Sequence, residues 1–254
     1  MKTTICCIVF FSLLYASDSS GISNSAGFLG LAKGADIQLE IVRSSDLVDE
    51  DISLRLKGLS SGKKYLVRAE TQDDMKRKWV SSAEFEADRE GEIDCSSQSP
   101  VSGSYDKADP AGLFWSMGLE KPAKGYFGMF AKMSAQPQDV HISVTGDNGI
   151  AFTQEFPMKY VSDAVSRDDV KEGFVGKYFV DKSKSSLPAV IVTGGSGGGF
   201  LWSEQVAAVL ASRGYAALAV AYFDYRGSYG LPNGLAEIPL EYFERSIQWL
   251  RARK

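Results

Sequence analysis

The sequence is short of the residues that enzymes most often use for proton transfer and for cross-linking. It has one histidine, His141, and three cysteines, of which only Cys95 lies outside an N-terminal apolar run. With that run removed, the chain cannot form an internal disulfide. Cys95 stands in a polar stretch with no glycine-rich turn and no nearby histidine, so we interpret it as structural rather than nucleophilic.

The sequence also lacks an excess of positive charge. Its 28 Lys and Arg residues are outnumbered by 32 Asp and Glu residues, which gives a formal net charge of −4. Proteins that bind a phosphate backbone present a basic face, and no such face can be recognised here. We therefore expect no nucleic-acid partner, while the 44% hydrophobic content predicts a globular protein with a sizeable core.

No apolar run reaches the roughly 20 residues that a membrane-spanning helix needs. The N-terminal run, Ile5–Ala16, follows Lys2 and precedes small and polar residues, a pattern typical of a secretory signal peptide. The alternative is a buried N-terminal strand or helix. We predict a signal peptide over 1–19, a secreted or periplasmic location, and no stable membrane span.

Short runs of alternating apolar and polar residues fill the next part of the chain, as half-buried strands do. These runs are Asp36–Val42, Ile52–Leu59, Tyr65–Thr71, Trp79–Ala87, Val140–Thr145 and Ala151–Pro157. Turn-rich pieces separate them, and Asp147-Asn148-Gly149 is a hairpin signal. The pattern predicts an antiparallel, immunoglobulin-like β-sandwich over 20–160.

The pattern changes after residue 160, where a polar segment at 161–170 reads as a linker or a short helix. Strands and helices are then predicted to alternate, as in a parallel sheet covered by helices. The predicted strands are Val175–Val180, Ala189–Thr193 and Tyr215–Phe223; the predicted helices are Leu201–Arg213 and one that opens around Glu237–Pro239, with Leu240, Phe243, Ile247 and Leu250 as its apolar stripe. We assign 161–254 to this second domain.

A run of glycines, GGSGGG at 194–199, joins a predicted buried strand to a predicted helix. A dinucleotide-binding loop would require glycine at position 200, which is Phe200, and a phosphate-binding P-loop would require Lys and Ser or Thr after the last glycine. Both nucleotide patterns fail. We expect no cofactor and no metal.

The same run matches the G-x-S-x-G nucleophile elbow, with Ser196 at its centre. A serine nucleophile needs a base, and in α/β hydrolases an Asp or Glu and then a His follow it; the only histidine, His141, precedes it. We therefore favour an oxyanion loop around Gly195, Ser196 and Gly197, in which the backbone N–H of Ser196 or Gly197 donates to a substrate carbonyl. The remaining alternative is a tight turn without function.

Several segments resemble one enzyme family. Ala189–Phe200, Ser212–Tyr222 and Ile238–Arg251 are similar to the C-terminal domain of the acyl-CoA thioester hydrolase and bile acid-CoA:amino acid N-acyltransferase family. Trp79–Ala87 and Asp109–Met117 resemble its immunoglobulin-like N-terminal domain. The resemblance implies a β-sandwich followed by a partial α/β-hydrolase domain. It also implies that the substrate is an acyl thioester or ester, and the substrate typical of the family is acyl-CoA.

The resemblance also implies a nucleophile, an Asp and a His beyond the predicted last helix, which closes at Lys254. We expect the catalytic triad to be absent from these residues, so whether the chain is itself an enzyme stays open. One hypothesis is thioester hydrolysis through an acyl-enzyme by descent. The other is a non-catalytic secreted binding module that carries a remnant of the hydrolase domain.

Overall fold

The computed structural model describes Cys6–Cys7 and the ranges 37–122, 128–147 and 149–253. Within these residues the chain forms two compact units. The β unit holds the described residues of 37–131 and 137–158, and the mixed-sheet unit holds Cys6–Cys7, 132–136 and 159–253. The signal peptide predicted over 1–19 lies outside the described residues, apart from Cys6–Cys7.

The described residues contain fourteen strands and three helices, numbered here in chain order. The strands are β1 (Cys6–Cys7), β2 (Gln38–Val42), β3 (Ser53–Lys57), β4 (Lys64–Gln72), β5 (Lys78–Glu86), β6 (Ile93–Asp94), β7 (Ser102–Gly103), β8 (Gly118–Leu119), β9 (Gln138–Gly146), β10 (Gly149–Met158), β11 (Val165–Lys171), β12 (Val175–Asp181), β13 (Ala189–Thr193) and β14 (Ala216–Ala221). The helices are α1 (Gly112–Trp115), α2 (Ser203–Ser212) and α3 (Leu240–Arg251).

The β unit consists of two antiparallel sheets. One follows the order β10-β9-β4-β5-β7 with β8 also paired to β5, and the other follows β2-β3-β6. Alternate residues are buried on the longer central strands, as on β4, where Tyr65, Val67 and Ala69 point into the core. Leu56 of β3 belongs to the same core cluster. The predicted antiparallel strands of this region are therefore confirmed.

The predicted hairpin between β9 and β10 is also confirmed. Gly146 pairs with Gly149 across its turn, and the left-handed φ of 96° at Gly149 explains why glycine is preferred there. The register shifts between Ile150 and Phe152, which marks a β-bulge. Asn148, the central residue of the predicted turn, lies outside the described residues.

The second unit is built on a mixed sheet with the order β1-β13-β14-β12-β11. β13 and β14 run parallel, with Val190 opposite Ala217, and β1 pairs in parallel with β13. β12 and β11 run antiparallel to their neighbours. Of the three strands predicted for a parallel sheet, β13 and β14 are parallel, whereas β12 runs antiparallel to β14.

The segment 161–170 is not a linker or a short helix, and that prediction is wrong. Residues 165–171 form β11, which pairs with β12 along its whole length. The strand does not show the apolar alternation of a half-buried strand, because it contains three consecutive charged and exposed residues, Arg167, Asp168 and Asp169. Among the described strands β11 pairs with β12 alone, and charged residues are common on such edge strands because they discourage further pairing.

One helix packs on each face of the mixed sheet. The small residues Ala207, Ala208 and Ala211 of α2 share a core with Val190 and Val192 of β13. On the other face, α3 contributes Leu250 with the half-buried Ile247 and Trp249 to a core that includes Leu218 and Tyr178. Leu240 was predicted in the apolar stripe of this helix, but it is 80% exposed.

Candidate functional site

The parallel strands β13 and β14 end at the same edge of the mixed sheet, where functional loops of parallel sheets commonly lie. The segment 194–202 follows β13 and contains the glycine run, and the segment 222–239 follows β14. The structure therefore brings the predicted site residues next to a second loop that the sequence alone did not connect with them.

Gly195, Ser196 and Gly197 lie in an exposed tight turn. The N–H of Gly198 donates to the carbonyl of Gly195 at 3.4 Å, so Ser196 and Gly197 occupy the two central positions. Within the described part of the chain, the N–H groups of these two central residues have no protein acceptor. The turn thus leaves two adjacent backbone donors free for solvent or a ligand.

The glycines of the run differ in what the backbone requires of them. Gly198 and Gly199 have left-handed φ angles of 68° and 58°. A Cβ at Gly198 would also lie 3.2 Å from the carbonyl oxygen of Phe223. A Cβ at Gly195 would meet nothing within 4 Å, and one at Gly197 would meet only the Leu201 side chain. The last two glycines are therefore structural, whereas the space above Gly195 is open.

Both ends of the turn are tied to the end of β14. The Tyr222 hydroxyl donates to the carbonyl of Gly194 at 2.9 Å, and the N–H of Gly199 donates to the carbonyl of Phe223 at 2.7 Å. The Tyr222 ring packs against Phe223 and Phe243, with centroids 5.1 and 5.2 Å away. Sequence reasoning missed Tyr222, because it reads there as one residue of a buried strand.

A cluster of charged side chains around the buried Glu204 supports the start of α2. Glu204, whose side chain is 4% exposed, forms ion pairs with Lys177 and, at 3.6 Å, with Arg167. The Lys177 ammonium also lies 4.6 Å from the ring centroid of Phe200, the residue that follows the glycine run. Tyr229 packs edge-on against that ring at 5.1 Å. No sequence pattern links these residues, which come from β11, β12, α2 and two loops.

The helix begins two residues later than predicted. Trp202 has a φ of 71°, which a helical residue cannot adopt, so α2 starts at Ser203 instead of Leu201. Such a conformation costs energy in a residue other than glycine and persists only where its surroundings hold it. Leu201 and Trp202 are 40% and 51% exposed beside the turn.

Asp224, which follows β14, stabilises its own loop. Its buried carboxylate accepts hydrogen bonds from the backbone N–H groups of Arg226 at 3.3 Å and Ser228 at 2.8 Å. Burial raises the pKa of Asp224, but the hydrogen bonds from Ser228 and Arg226 outweigh it and leave the pKa below its usual value. Its oxygens are thus engaged in forming a turn.

His141 and Cys95 lie in the β unit. His141 is half exposed on β9, and its Nδ1 is 3.1 Å from the Glu155 carboxylate on β10. Cys95 is a free cysteine that is 1% exposed, and burial with the nearby Asp94 raises its pKa to about 12. It therefore stays a thiol at neutral pH, as expected of a structural cysteine.

The part of the chain that the structure describes contains no group of three His, Cys, Asp or Glu side chains able to hold a metal ion. In the same residues, none of the helices is long and apolar enough to cross a bilayer.

The fold and the turn define a class of two-unit protein: an antiparallel β unit, then a mixed sheet whose strand–helix–strand segment carries an exposed glycine-rich turn. Residues 49–172 match the family model described as "Acyl-CoA thioester hydrolase/BAAT N-terminal region". The chain belongs to this acyl-CoA thioester hydrolase/BAAT family, which confirms the resemblance drawn from its sequence.

Individual relatives agree with this assignment. The chain is 31% identical over 224 residues to mouse acyl-coenzyme A amino acid N-acyltransferase 1, and the match covers 84% of this chain and 52% of that relative. It is 32% identical over 222 residues to human bile acid-CoA:amino acid N-acyltransferase, with 84% and 52% covered. Mouse acyl-coenzyme A thioesterase 1 is 29% identical over 211 residues, with 80% and 48% covered. The chain thus spans about half the length of these relatives.

Proposed function

We propose that this chain provides the immunoglobulin-like domain and the oxyanion loop of an acyl thioester hydrolase or acyltransferase. The relatives are named as thioesterases and N-acyltransferases that act on acyl-coenzyme A, so an acyl-CoA or a related acyl thioester is the proposed substrate. The observation that carries the proposal is the exposed turn at 195–198, whose central N–H groups have no protein acceptor among the described residues.

The position of the turn supports an oxyanion role. If β1, which lies within the predicted signal peptide, is left out, β11 is the first strand of the sheet in chain order and β13 is the third, and α2 is the first helix after β13. In α/β hydrolases one oxyanion donor comes from the loop between the third strand and the first helix. We accordingly propose that residues 161–254 correspond to the front part of such a domain and that residues 20–160 form the preceding sandwich.

The chemistry required of the turn is limited to electrostatic stabilisation. When a nucleophile attacks a thioester carbonyl, negative charge develops on its oxygen, and donors fixed in advance lower the barrier. One such donor contributes a rate factor on the order of 10²–10³. Ser196 and Gly197 are the proposed donors, and Gly195 leaves the space through which a carbonyl could approach them.

We do not assign Ser196 as the nucleophile. A serine hydroxyl needs an adjacent base to attack a carbonyl at neutral pH. The one histidine of these 254 residues is His141, which lies in the β unit and pairs with Glu155 on the neighbouring strand. The proposal therefore gives Ser196 its backbone N–H as the functional group, and we expect the 254-residue chain to show no turnover of an acyl-CoA.

Two substitutions at one position separate these roles. Ser196→Ala keeps the N–H and removes the hydroxyl, whereas Ser196→Pro removes the N–H. We expect decanoate, a carboxylate that mimics the oxyanion, to shift the amide resonances of Ser196 and Gly197 in the wild-type chain, measured by ¹H–¹⁵N NMR. The response should persist at Gly197 in the alanine variant and disappear in the proline variant.

The opposite outcomes are equally clear. No response of either amide to decanoate in the wild-type chain would contradict the oxyanion role. Hydrolysis of decanoyl-CoA by the chain, followed through the released thiol and abolished by Ser196→Ala, would make Ser196 a nucleophile instead.

A further inference from the structure

Tyr222, which directly follows β14, holds one end of the turn at 195–198 through its side chain. Its hydroxyl reaches the carbonyl of Gly194, which belongs to the peptide group directly before the turn. The other end is held by the backbone bond from the N–H of Gly199 to the carbonyl of Phe223. Two adjacent residues, Tyr222 and Phe223, therefore hold the two ends of the turn. Of these two hydrogen bonds, only the one from the Tyr222 side chain can be removed by a substitution that leaves the backbone unchanged.

The hydroxyl is well placed to act as a permanent donor. The ring of Tyr222 is half-buried between Phe223 and Phe243, which restricts its rotation. Burial raises the pKa of Tyr222, so the hydroxyl keeps its proton at neutral pH. The carbonyl of Gly194 accepts no other hydrogen bond among those of the described residues, so its orientation depends on this contact.

We propose that Tyr222 is a positioning residue for the oxyanion loop, acting through the Gly194 carbonyl to fix the direction of the Ser196 and Gly197 N–H groups. This inference rests on the proposed function, in which the N–H groups of Ser196 and Gly197 bind the oxyanion. Its structural content, that one hydroxyl orders the turn, does not depend on the function. Glycine-rich backbone has the most conformational freedom to lose, so a single anchoring bond has a large effect there.

The test compares Tyr222→Phe with Tyr242→Phe. Both variants delete a hydroxyl from a packed ring. The Tyr242 hydroxyl accepts the N–H of Val175 and donates to the carbonyl of Ala221, the residue before Tyr222, and it makes no hydrogen bond to residues 194–199 within the described part of the chain. We expect Tyr222→Phe to lower the ¹⁵N order parameters of Gly195–Gly198 and to weaken decanoate binding about two- to tenfold, the range for one neutral hydrogen bond. Tyr242→Phe should lower the stability of the protein but leave the order parameters of Gly195–Gly198 and the affinity for decanoate unchanged.

The outcomes separate the two proposals. Changed order parameters in Tyr222→Phe without decanoate binding by the wild-type chain support the positioning role and contradict the proposed function. Equal order parameters in the wild-type chain and Tyr222→Phe contradict the positioning role whether or not decanoate binds.

A measurement on the wild-type chain covers the case in which Tyr222→Phe does not fold. The hydroxyl proton of Tyr222 should exchange slowly enough to be observed near 5 °C and should show a nuclear Overhauser effect to the Gly195 amide. Absence of that effect, with the hydroxyl proton of Tyr242 visible in the same spectrum, would overturn the inference.

Discussion

Asp73 shows how strongly one buried carboxylate can organise its surroundings. Its side chain is 0% exposed and accepts the backbone N–H groups of Met75 at 3.0 Å and Arg77 at 2.9 Å. It also binds the Arg77 guanidinium, at 2.6 Å, and the Trp79 indole N–H, at 3.1 Å. A further bond from the Ala131 N–H, at 3.3 Å, ties the β4–β5 turn to a distant segment of the β unit.

These partners make the β unit acid-sensitive. Burial alone raises the pKa of Asp73, but the bonds from Arg77, Trp79 and Ala131 outweigh it and lower the pKa to about 2. Because the folded pKa lies below the unfolded value of 3.8, the carboxylate stabilises the fold above that value. The stabilisation, about 2 kcal/mol, is lost as the pH falls from about 4 to about 2.

We therefore predict that Asp73→Asn lowers the unfolding free energy of the β unit by about 2 kcal/mol at pH 7, since the ionised carboxylate is removed. The difference from the wild-type chain should shrink as the pH falls towards 2. Urea unfolding at several pH values measures it. Asp147→Asn, at a 71%-exposed side chain paired with Lys63, is the matched control and should change little. A constant difference between pH 7 and pH 2 would contradict the assignment.

At the scale of elements, the mixed sheet and α2 are joined by charge as well as by apolar packing. Glu204 lies in the first turn of α2, and Lys177 lies on β12, 12% exposed. Breaking a buried pair is costly, because it leaves one charge without its partner in a poorly solvated place. Arg167, at 3.6 Å and 40% exposed, compensates only in part.

We predict that Lys177→Met lowers the unfolding free energy of the mixed-sheet unit by about 3 kcal/mol, measured by urea unfolding. Arg167→Met, the control at the outer partner, should cost less. The double variant Lys177→Met with Glu204→Leu should recover most of the loss, because no buried charge then remains. If the double variant were less stable than Lys177→Met, the pair itself would not explain the effect.

The elements also show where sequence patterns succeed and fail. The alternation in Tyr65–Thr71 and Trp79–Ala87 located β4 and β5 to within one residue at each end, because one face of each strand is buried. The same rule missed β11, whose Arg167, Asp168 and Asp169 carry no apolar alternation. β11 is placed by its backbone pairing with β12, which no side-chain pattern reports, and only Val170 of its residues is fully buried in the core.

At the scale of the whole molecule, the N-terminal apolar run is predicted to be a cleaved signal peptide, but two of its residues form a strand of the mixed sheet. As a signal peptide it would be removed, whereas in the structure Cys6 and Cys7 pair with Val190 and Ile191 on the open side of β13. We propose secretion, with residues 1–19 as the signal, on the pattern of Lys2, the apolar run and the small residues after it.

We predict that protein recovered from the culture medium or periplasm of an expressing cell begins near residue 20, because a signal of this kind is cleaved after small residues. N-terminal sequencing and the intact mass measure this. Inserting a charge into the apolar run, by Val9→Asp, should retain the protein inside the cell. The control is Val42→Asp, at an exposed side chain at the end of β2. Intact Met1 in exported protein would oppose the proposal.

The candidate site divides in the same way between local and non-local causes. The strand, the glycine-rich loop and the helix after it could be located from the sequence, since apolar periodicity and glycine content are local properties. Tyr222 and the Lys177–Glu204 pair could not, because their partners lie 28 and 27 positions away. The mixed strand directions likewise depend on which strands pair.

The sequence by itself determined the family of this protein, the antiparallel strands of its first unit, and the place of a glycine-rich turn after a buried strand. Only the tertiary structure decided that the turn is exposed and that two of its N–H groups have no protein acceptor among the described residues. It also decided that the hydroxyl of Tyr222, directly after the next strand, donates to the carbonyl before the turn. The reason is physical: propensity and periodicity act between near neighbours, whereas the parallel register of β13 and β14 sets which residues meet at the end of the sheet.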